Sequence, residues 1–352
     1  MIAEKINPAM LVLARESKGI TQSELAKLIS VSQANVSKFE SGMLEVSSEQ
    51  LGKIAHVLEK PESFFFQPTP QHGFASNCLY HRKRQSVSVR DLRRIIATLK
   101  VYRLEVANLL RSVEVEAENR FHRMDIDDYD GPELIASLVR RSWSIPTGPI
   151  DNLTRAVENA GGIVIKCSFK TTKVDAMSQW AADMPPLFFI NSEIPGDRLR
   201  WSLAHEIGHV IMHQIPTNDI EGEANKFASE LLMPKAEIAP ELNNISIPKL
   251  ARLKPYWKVS MAALLMRAGQ LKKITQRQKE YLWTQMGSHG YRRREPVDIP
   301  IEEPVTIHKI VNAHITELGY SAPDLSNLVH SLEDHFRSKY LQEKTTRLRI
   351  VS

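Results

Sequence analysis

The stretch Arg198-Leu-Arg-Trp-Ser-Leu-Ala-His-Glu-Ile-Gly-His-Val-Ile-Met-His213 decides how the chain is read. Within it, His205-Glu206-Ile207-Gly208-His209 has the form H-E-x-x-H. Residues four apart share a face of an α-helix, so His205 and His209 can turn their imidazoles to one ion. Neutral imidazole suits zinc, and three protein ligands plus a water make a catalytic rather than a closed site. Glu206 lies one step round the helix, near enough to take a proton from that water. Trp201, Leu203, Ala204, Ile207, Val210, Ile211 and Met212 make the rest of the stretch apolar, as in a buried helix. Two histidines and a glutamate in such a helix need polar partners, which a metal would supply.

Downstream, Asp219-Ile-Glu-Gly-Glu-Ala-Asn-Lys-Phe-Ala-Ser-Glu-Leu-Leu-Met-Pro234 reads as a second helix with an acidic first turn, stopped near the proline. Glu221 and Asn225 share a face at i, i+4. Glu221 is the candidate third ligand, and Asn225 would then orient a ligating histidine. Helix starts shift by a residue or two, so Glu223 stays as the alternative ligand. His213 lies one more turn along the first helix, about 12 Å from His205 along the axis. A third ligand should come from another element, so His213 reads as a histidine facing the helix C-terminal dipole.

The run Arg200-Trp-Ser-Leu-Ala-His-Glu-Ile-Gly-His209, followed by Glu221-Gly-Glu-Ala-Asn-Lys-Phe-Ala-Ser-Glu-Leu-Leu-Met-Pro234, resembles the ImmA/IrrE family of zinc metallopeptidases. The resemblance implies a gluzincin-like α+β domain. It implies Zn2+ held by His205, His209 and Glu221, with Glu206 as general base.

The N-terminal part has a different pattern. Met10, Leu11, Leu13 and Ala14 lie on a first helix ended by Gly19. Thr21-Gln-Ser-Glu24 is a capping box opening a second helix, to about Ile29. Ser32 caps a third, Gln33 to about Ser41. Ser47-Ser-Glu-Gln50 opens a fourth, and Pro61 starts a fifth that ends in Phe64-Phe-Phe66. Ala26 is small where two helices cross, and Val31 and Val36 are the expected buried anchors. Five short helices with a tight turn between the second and third describe a helix-turn-helix. The third helix of such a domain enters the major groove. Gln33, Asn35 and Lys38 are its candidate base readers, with Gln22 and Ser37 as candidate phosphate contacts. The run from Thr21 to Gly42 is similar to the lambda-repressor-like (XRE, Cro/C1-type) family, which implies binding to a double-stranded DNA operator. The usual turn glycine is Ser30 here. A non-glycine in a left-handed turn costs about 1 kcal/mol.

The 352 residues are enough for several domains, and the reading is a multidomain, mainly α chain with an α+β part. Residues 1–70 form the helix-turn-helix domain, 71–130 a basic helical connector, 131–290 the metallopeptidase-like domain and 291–352 a C-terminal helical segment. The connector holds His81-Arg-Lys-Arg84 and then a helix with Arg90, Arg93, Arg94, Lys100 and Arg103 on a basic face. Its apolar stripe, Leu92, Ile95, Ile96, Leu99, Tyr102, Val106, Leu109 and Leu110, is expected to pack on the peptidase domain or on a second copy, giving a homodimer. Ile163–Cys167, Val174–Ser178 and Leu187–Asn191 are the strand candidates of a small mixed sheet. Leu187, Phe188, Phe189, Ile190 and Asn191 are expected at the edge, where a substrate backbone adds as a strand. The C-terminal segment reads as two helices, Val305 to Leu318 and Pro323 to Phe336, with no chemical motif.

Net charge is +5, a modest excess that argues for nucleic acid only where it is localised. Cys78 and Cys167 make no disulfide framework, which suits a reducing compartment. No run of about 18 apolar residues exists, so no membrane span is expected. Met1 to Asn7 lacks a secretory apolar stretch, and the expected location is the cytoplasm. Together the motifs point to a transcription regulator whose zinc endopeptidase domain cleaves a repressor or other regulatory protein in a stress or phage response. The alternative is a non-proteolytic regulator or antitoxin whose zinc domain is structural or sensory.

Overall fold

The computed structural model describes residues 5–69 and 87–341. Cys78, the basic run at residues 81–84 and the end of the chain from Lys344 lie outside the described residues. The chain divides into two compact units. Unit one joins the N-terminal helices, the long helix before Val115 and the chain from Thr306 onward; unit two contains Glu116–Val305. This differs from the four consecutive segments expected from sequence. The expected connector is split between the units, and the expected C-terminal segment is divided at Val305.

Unit one begins with α1 (Pro8–Lys18), α2 (Gln22–Leu28), α3 (Gln33–Ser41) and α4 (Ser48–Leu58), followed by a 3₁₀ turn at Glu62–Phe66. Local chemistry sets these boundaries. Asn7, Thr21, Ser32 and Ser47 each accept a backbone N–H at a helix start, and Gly19 and Gly42 close α1 and α3 in the left-handed region. Ser30 stands at φ +58°, in the turn where the resemblance leads one to expect glycine. Met10, Leu11, Leu25, Val36, Phe39, Ile54, Phe64 and Phe65 form the core. Val31 is only partly buried against it; Phe39 and Leu25 hold the centre instead.

Helix α5 (Val89–Leu109) packs along α1, burying Ala97 and Val101 in this same core. Ile95, Leu99, Val106 and Leu109 of the expected apolar stripe are buried as well. Arg103, expected on a basic solvent face, is buried, as are Glu105 and Asn108. Arg90 donates to the Gly19 carbonyl and to Glu24. Among the described residues the C-terminal part has three helices rather than two: α14 (Thr306–Thr316), α15 (Ala322–Leu328) and α16 (Glu333–Tyr340). The extra break falls at His330, which has φ +50°. These helices belong to unit one because α16 supplies partners to a buried acid. Lys339 Nζ and Tyr340 Oη (2.6 Å) both donate to Glu105, and Lys339 Nζ sits 3.2 Å from the centroid of the Tyr102 ring. A buried carboxylate without such partners would be costly.

Unit two contains α6 (Pro132–Ser142), α7 (Leu153–Asn159), β1 (Ile163–Cys167), β2 (Ala176–Gln179), β3 (Leu187–Asn191), α8 (Gly196–Met212) and α9 (Ile220–Leu232). It continues with α10 (Lys235–Ile238), α11 (Ile247–Trp257), α12 (Met261–Gln270) and α13 (Gln276–Ser288). The sheet order is β1-β3-β2, with β3 parallel to β1 and antiparallel to β2. Leu187–Asn191 is therefore the central strand, not the edge. All five of its residues are buried, and an unbroken Leu-Phe-Phe-Ile run is what a strand covered on both faces requires. The edge on the α8 side is β2, which packs against that helix.

Residues 291–305, expected as a loose connector, are tied into unit two by their carboxylates. Glu295 takes Lys254 (2.6 Å), Glu302 takes Arg200, and Glu303 takes Lys166 (2.6 Å). The Ile299 carbonyl comes so close to the start of α8 that a Cβ on Gly196 would sit 2.3 Å from it. Glycine is required there because no side chain fits. Among the described residues, no helix is long and apolar enough to cross a membrane.

Candidate metal centre

The core of unit two is apolar, yet α8 and α9 bring polar side chains into it. These helices pack closely, and Gly208 makes the approach possible. A Cβ at that position would lie 3.1 Å from the Phe227 ring. The glycine inside the H-E-x-x-H stretch thus brings the two helices together.

Across this contact, ligand atoms of His205, His209 and Glu221 all lie within 4.8 Å of one another. His205 Nε2 is 2.9 Å from His209 Nε2, while Glu221 oxygens stand 3.5 Å from His205 Nε2 and 3.3 Å from His209 Nε2. Neighbouring ligands of a tetrahedral ion with bonds of about 2.0–2.1 Å are separated by about 3.3 Å. Two imidazole nitrogens and one carboxylate oxygen at such separations fit zinc. Hydrogen bonds from His205 and His209 hold the Glu221 carboxyl well below its ordinary range, against its partial burial. Burial pushes His209 down, favouring the neutral ring that a metal needs.

Each histidine has a partner on its far side. His205 Nδ1 is 3.2 Å from Asn225 Oδ1, and His209 Nδ1 is 2.9 Å from His213 Nδ1. His213 is the C-terminal cap residue of α8 and is buried. Its Nε2 meets Glu223 Oε2 at 3.0 Å, and Thr217 Oγ1 donates to the same oxygen at 2.5 Å. Burial, with His209 beside it, lowers the His213 pKa to about 4, so the ring is neutral at pH 7. Glu223, the alternative ligand of the sequence reading, thus faces His213 and not the ligand cluster. His213 is more than a histidine at the end of the helix dipole, since its ring bridges two side chains.

Glu206 is 3% exposed and accepts a hydrogen bond from Ser178 Oγ at 2.6 Å. Sequence reasoning missed Ser178. Its signal was the alternation that puts Ala176 and Ser178 on one face of β2, a polar residue within an otherwise buried strand.

In unit one the residues expected to read DNA stand on or beside α3. Gln33, Ser37 and Lys38 are exposed, and Asn35 is half-buried. Gln22 belongs to a chain of hydrogen bonds. Arg15 holds Glu40 through two nitrogens (2.5 and 3.0 Å), Gln22 Nε2 donates to Glu40 (2.8 Å), and Gln33 Nε2 donates to Gln22 Oε1 (2.8 Å). The chain orients Gln33, the first residue of α3, from the body of the unit. Arg15 and Glu40 went unread in the sequence, because neither carries a local motif.

Comparison with known families agrees with both halves of this description. The family model described as IrrE N-terminal-like domain, a peptidase family, matches residues 157–268. A helix-turn-helix family model matches residues 11–65. No curated protein matches the chain. The chain joins an XRE-type helix-turn-helix to an IrrE/ImmA-like metallopeptidase domain, and the first match contains every residue of the cluster around His205 and His209.

Proposed function

We propose that this chain is a DNA-binding transcription regulator whose second unit is a zinc-dependent endopeptidase acting on a repressor or other regulatory protein. The observation that carries the reading is the convergence of His205, His209 and Glu221 beside a buried Glu206. The helix-turn-helix match on the same chain argues for a regulatory substrate and a stress or phage setting in the cytoplasm.

In this reading His205, His209 and Glu221 hold Zn2+. When bound, the ion supplies Lewis-acid polarisation of the scissile carbonyl and of the attacking water. Glu206 takes the proton from that water through the carboxylate that Ser178 orients, and passes it to the leaving amine. Asn225 accepts from the His205 Nδ1–H and keeps its Nε2 free as a ligand. Because β3 is central and β2 stands at an edge, this reading takes β2 rather than β3 as the substrate strand. An extended substrate added along β2 would run past Ser178 and Glu206. In unit one, Gln33, Asn35 and Lys38 read bases, while Gln22 and Ser37 touch phosphates.

The test combines metal analysis of the purified chain with a search for cleavage products in cells carrying wild type or Glu206→Gln. One zinc per chain and products lost in the variant support the reading. Absence of bound zinc, or products that persist in Glu206→Gln, overturns it. Operator repression indifferent to Glu206→Gln yet lost in Asn35→Ala would favour the non-proteolytic alternative.

A further inference from the structure

The two histidines of the cluster are supported unequally. His205 Nδ1 meets the neutral amide of Asn225, whereas His209 Nδ1 meets another imidazole, which in turn meets a carboxylate. We infer that His213 and Glu223 form a one-directional positioning relay that fixes the tautomer of His209 and strengthens its Nε2 as a metal ligand. The inference rests on the zinc reading proposed above.

Donor and acceptor counting sets the direction. For His209 Nε2 to face the ligand cluster as a lone pair, its Nδ1 must carry the proton. His213 Nδ1, 2.9 Å away, must then accept, which leaves the His213 proton on Nε2. That N–H points at Glu223 Oε2, 3.0 Å away, an oxygen that already accepts from Thr217 Oγ1. With both rings neutral, every contact is satisfied in one direction only. The negative charge of Glu223 is passed, one imidazole removed, to the far side of His209. Negative charge behind an imidazole raises its basicity toward a cation.

The relay is also mechanical. Glu223 lies in the first turn of α9, two residues after Glu221, while His213 closes α8. The His213–Glu223 contact registers the start of α9 against the end of α8, and so helps to set where Glu221 meets the two ligating rings. The His213 side chain is 1% exposed and that of Glu223 17%, so water does little of this work.

The probe is Zn2+ alone, its affinity for the full chain measured by competition with a chromophoric chelator. Four variants are compared with wild type: Glu223→Gln, Glu223→Ala, His213→Ala and the double alanine. Loss of such partners weakens metal binding about 10–100-fold, and that is the expectation for both single alanines. Glu223→Gln keeps an accepting oxygen at nearly the same volume, folds normally by circular dichroism, and is expected to lose about tenfold through the missing charge. The double variant should bind no more weakly than His213→Ala, since a relay is lost once. A change in the visible bands of the Co2+-loaded chain in Glu223→Gln would report the altered ligand field directly. Wild-type affinity in Glu223→Gln, or losses that add in the double variant, overturns the relay while leaving the zinc reading intact. If the wild-type chain binds no Zn2+, the proposed function fails, and the relay with it.

Discussion

The candidate metal centre and the candidate DNA-reading helix place their functional side chains in opposite environments. At the centre, Glu206 and His213 are buried, and each stands in a hydrogen-bonded contact with a named partner. On α3, Gln33, Ser37 and Lys38 face solvent, and the order nearby comes from Arg15, Glu40 and Gln22 behind them. Buried polar groups must find partners within the fold, so the folded chain alone reveals the arrangement around His209. Exposed groups are satisfied by water, and their final geometry is set by whatever binds. The lesson is that a catalytic role can be argued from internal contacts, whereas a DNA-reading role must be argued from the scaffold that presents it.

Several perturbations should separate these two regions, the largest effect first. Glu206→Gln should lower cleavage of the cellular target by about 10²–10⁴-fold, the worth of a general base, with zinc content and operator binding unchanged. If operator affinity falls with it in a gel-shift titration, the two regions are less separate than described. Lys339→Met should lower the stability of unit one by about 3–5 kcal/mol in denaturant unfolding, because it removes a partner of buried Glu105. Zinc binding by unit two should be unchanged in that variant. A pH effect accompanies this pair. Burial pushes Glu105 up, but Lys339, Lys60 and Tyr340 outweigh it and hold the carboxyl below its ordinary 4.5. A depressed acid stabilises the fold above its unfolded pKa, and that stability is lost as pH falls through the lower folded value. The unfolding midpoint of unit one should therefore drop as pH falls below about 4.5, and Lys339→Met should flatten that drop.

Chelation of the metal should act on unit two alone. Zinc held at a thousandfold over its dissociation constant stabilises by about 4 kcal/mol, so EDTA should lower one calorimetric transition and spare the other. Asn35→Ala should cost about 1–3 kcal/mol of operator binding, read by gel shift, with no change in unfolding midpoint. The smallest effect is expected at Ser30, which occupies φ +58°. Ser30→Gly should stabilise unit one by about 0.5–1 kcal/mol in denaturant unfolding; an equal or lower midpoint would mean that the turn carries no strain.

Much of this molecule can be read without coordinates, for specific reasons. Thr21, Ser32 and Ser47 announce helix starts because capping is local, and the structure begins helices directly after each. That His205 and His209, the candidate ligands, share a helix face follows from helical period alone. What escaped was non-local. Strand order cannot be read from Leu187–Asn191 itself; its unbroken apolar run hints only that both of its faces are covered. Ser178 reaches Glu206 across 28 positions of chain, and Lys339 reaches Glu105 across 234. The acids at Glu295, Glu302 and Glu303 read as a charged linker because their partners lie more than forty residues away. His213 stands at the helix C-terminus as expected, but its contacts escaped because its second partner lies on the next helix, beyond the loop that follows it.

Unit one is assembled from both ends of the sequence, with the whole of Glu116–Val305 carried between them. In covalent terms the segment Glu116–Val305 is a loop on the helix-turn-helix unit, with one tether at each of its ends. A single nick in either tether leaves the units joined by the other, because α16 stays held to Glu105 by Lys339 and Tyr340. Were the chain to cut itself once at such a junction, it would not shed its operator-binding part.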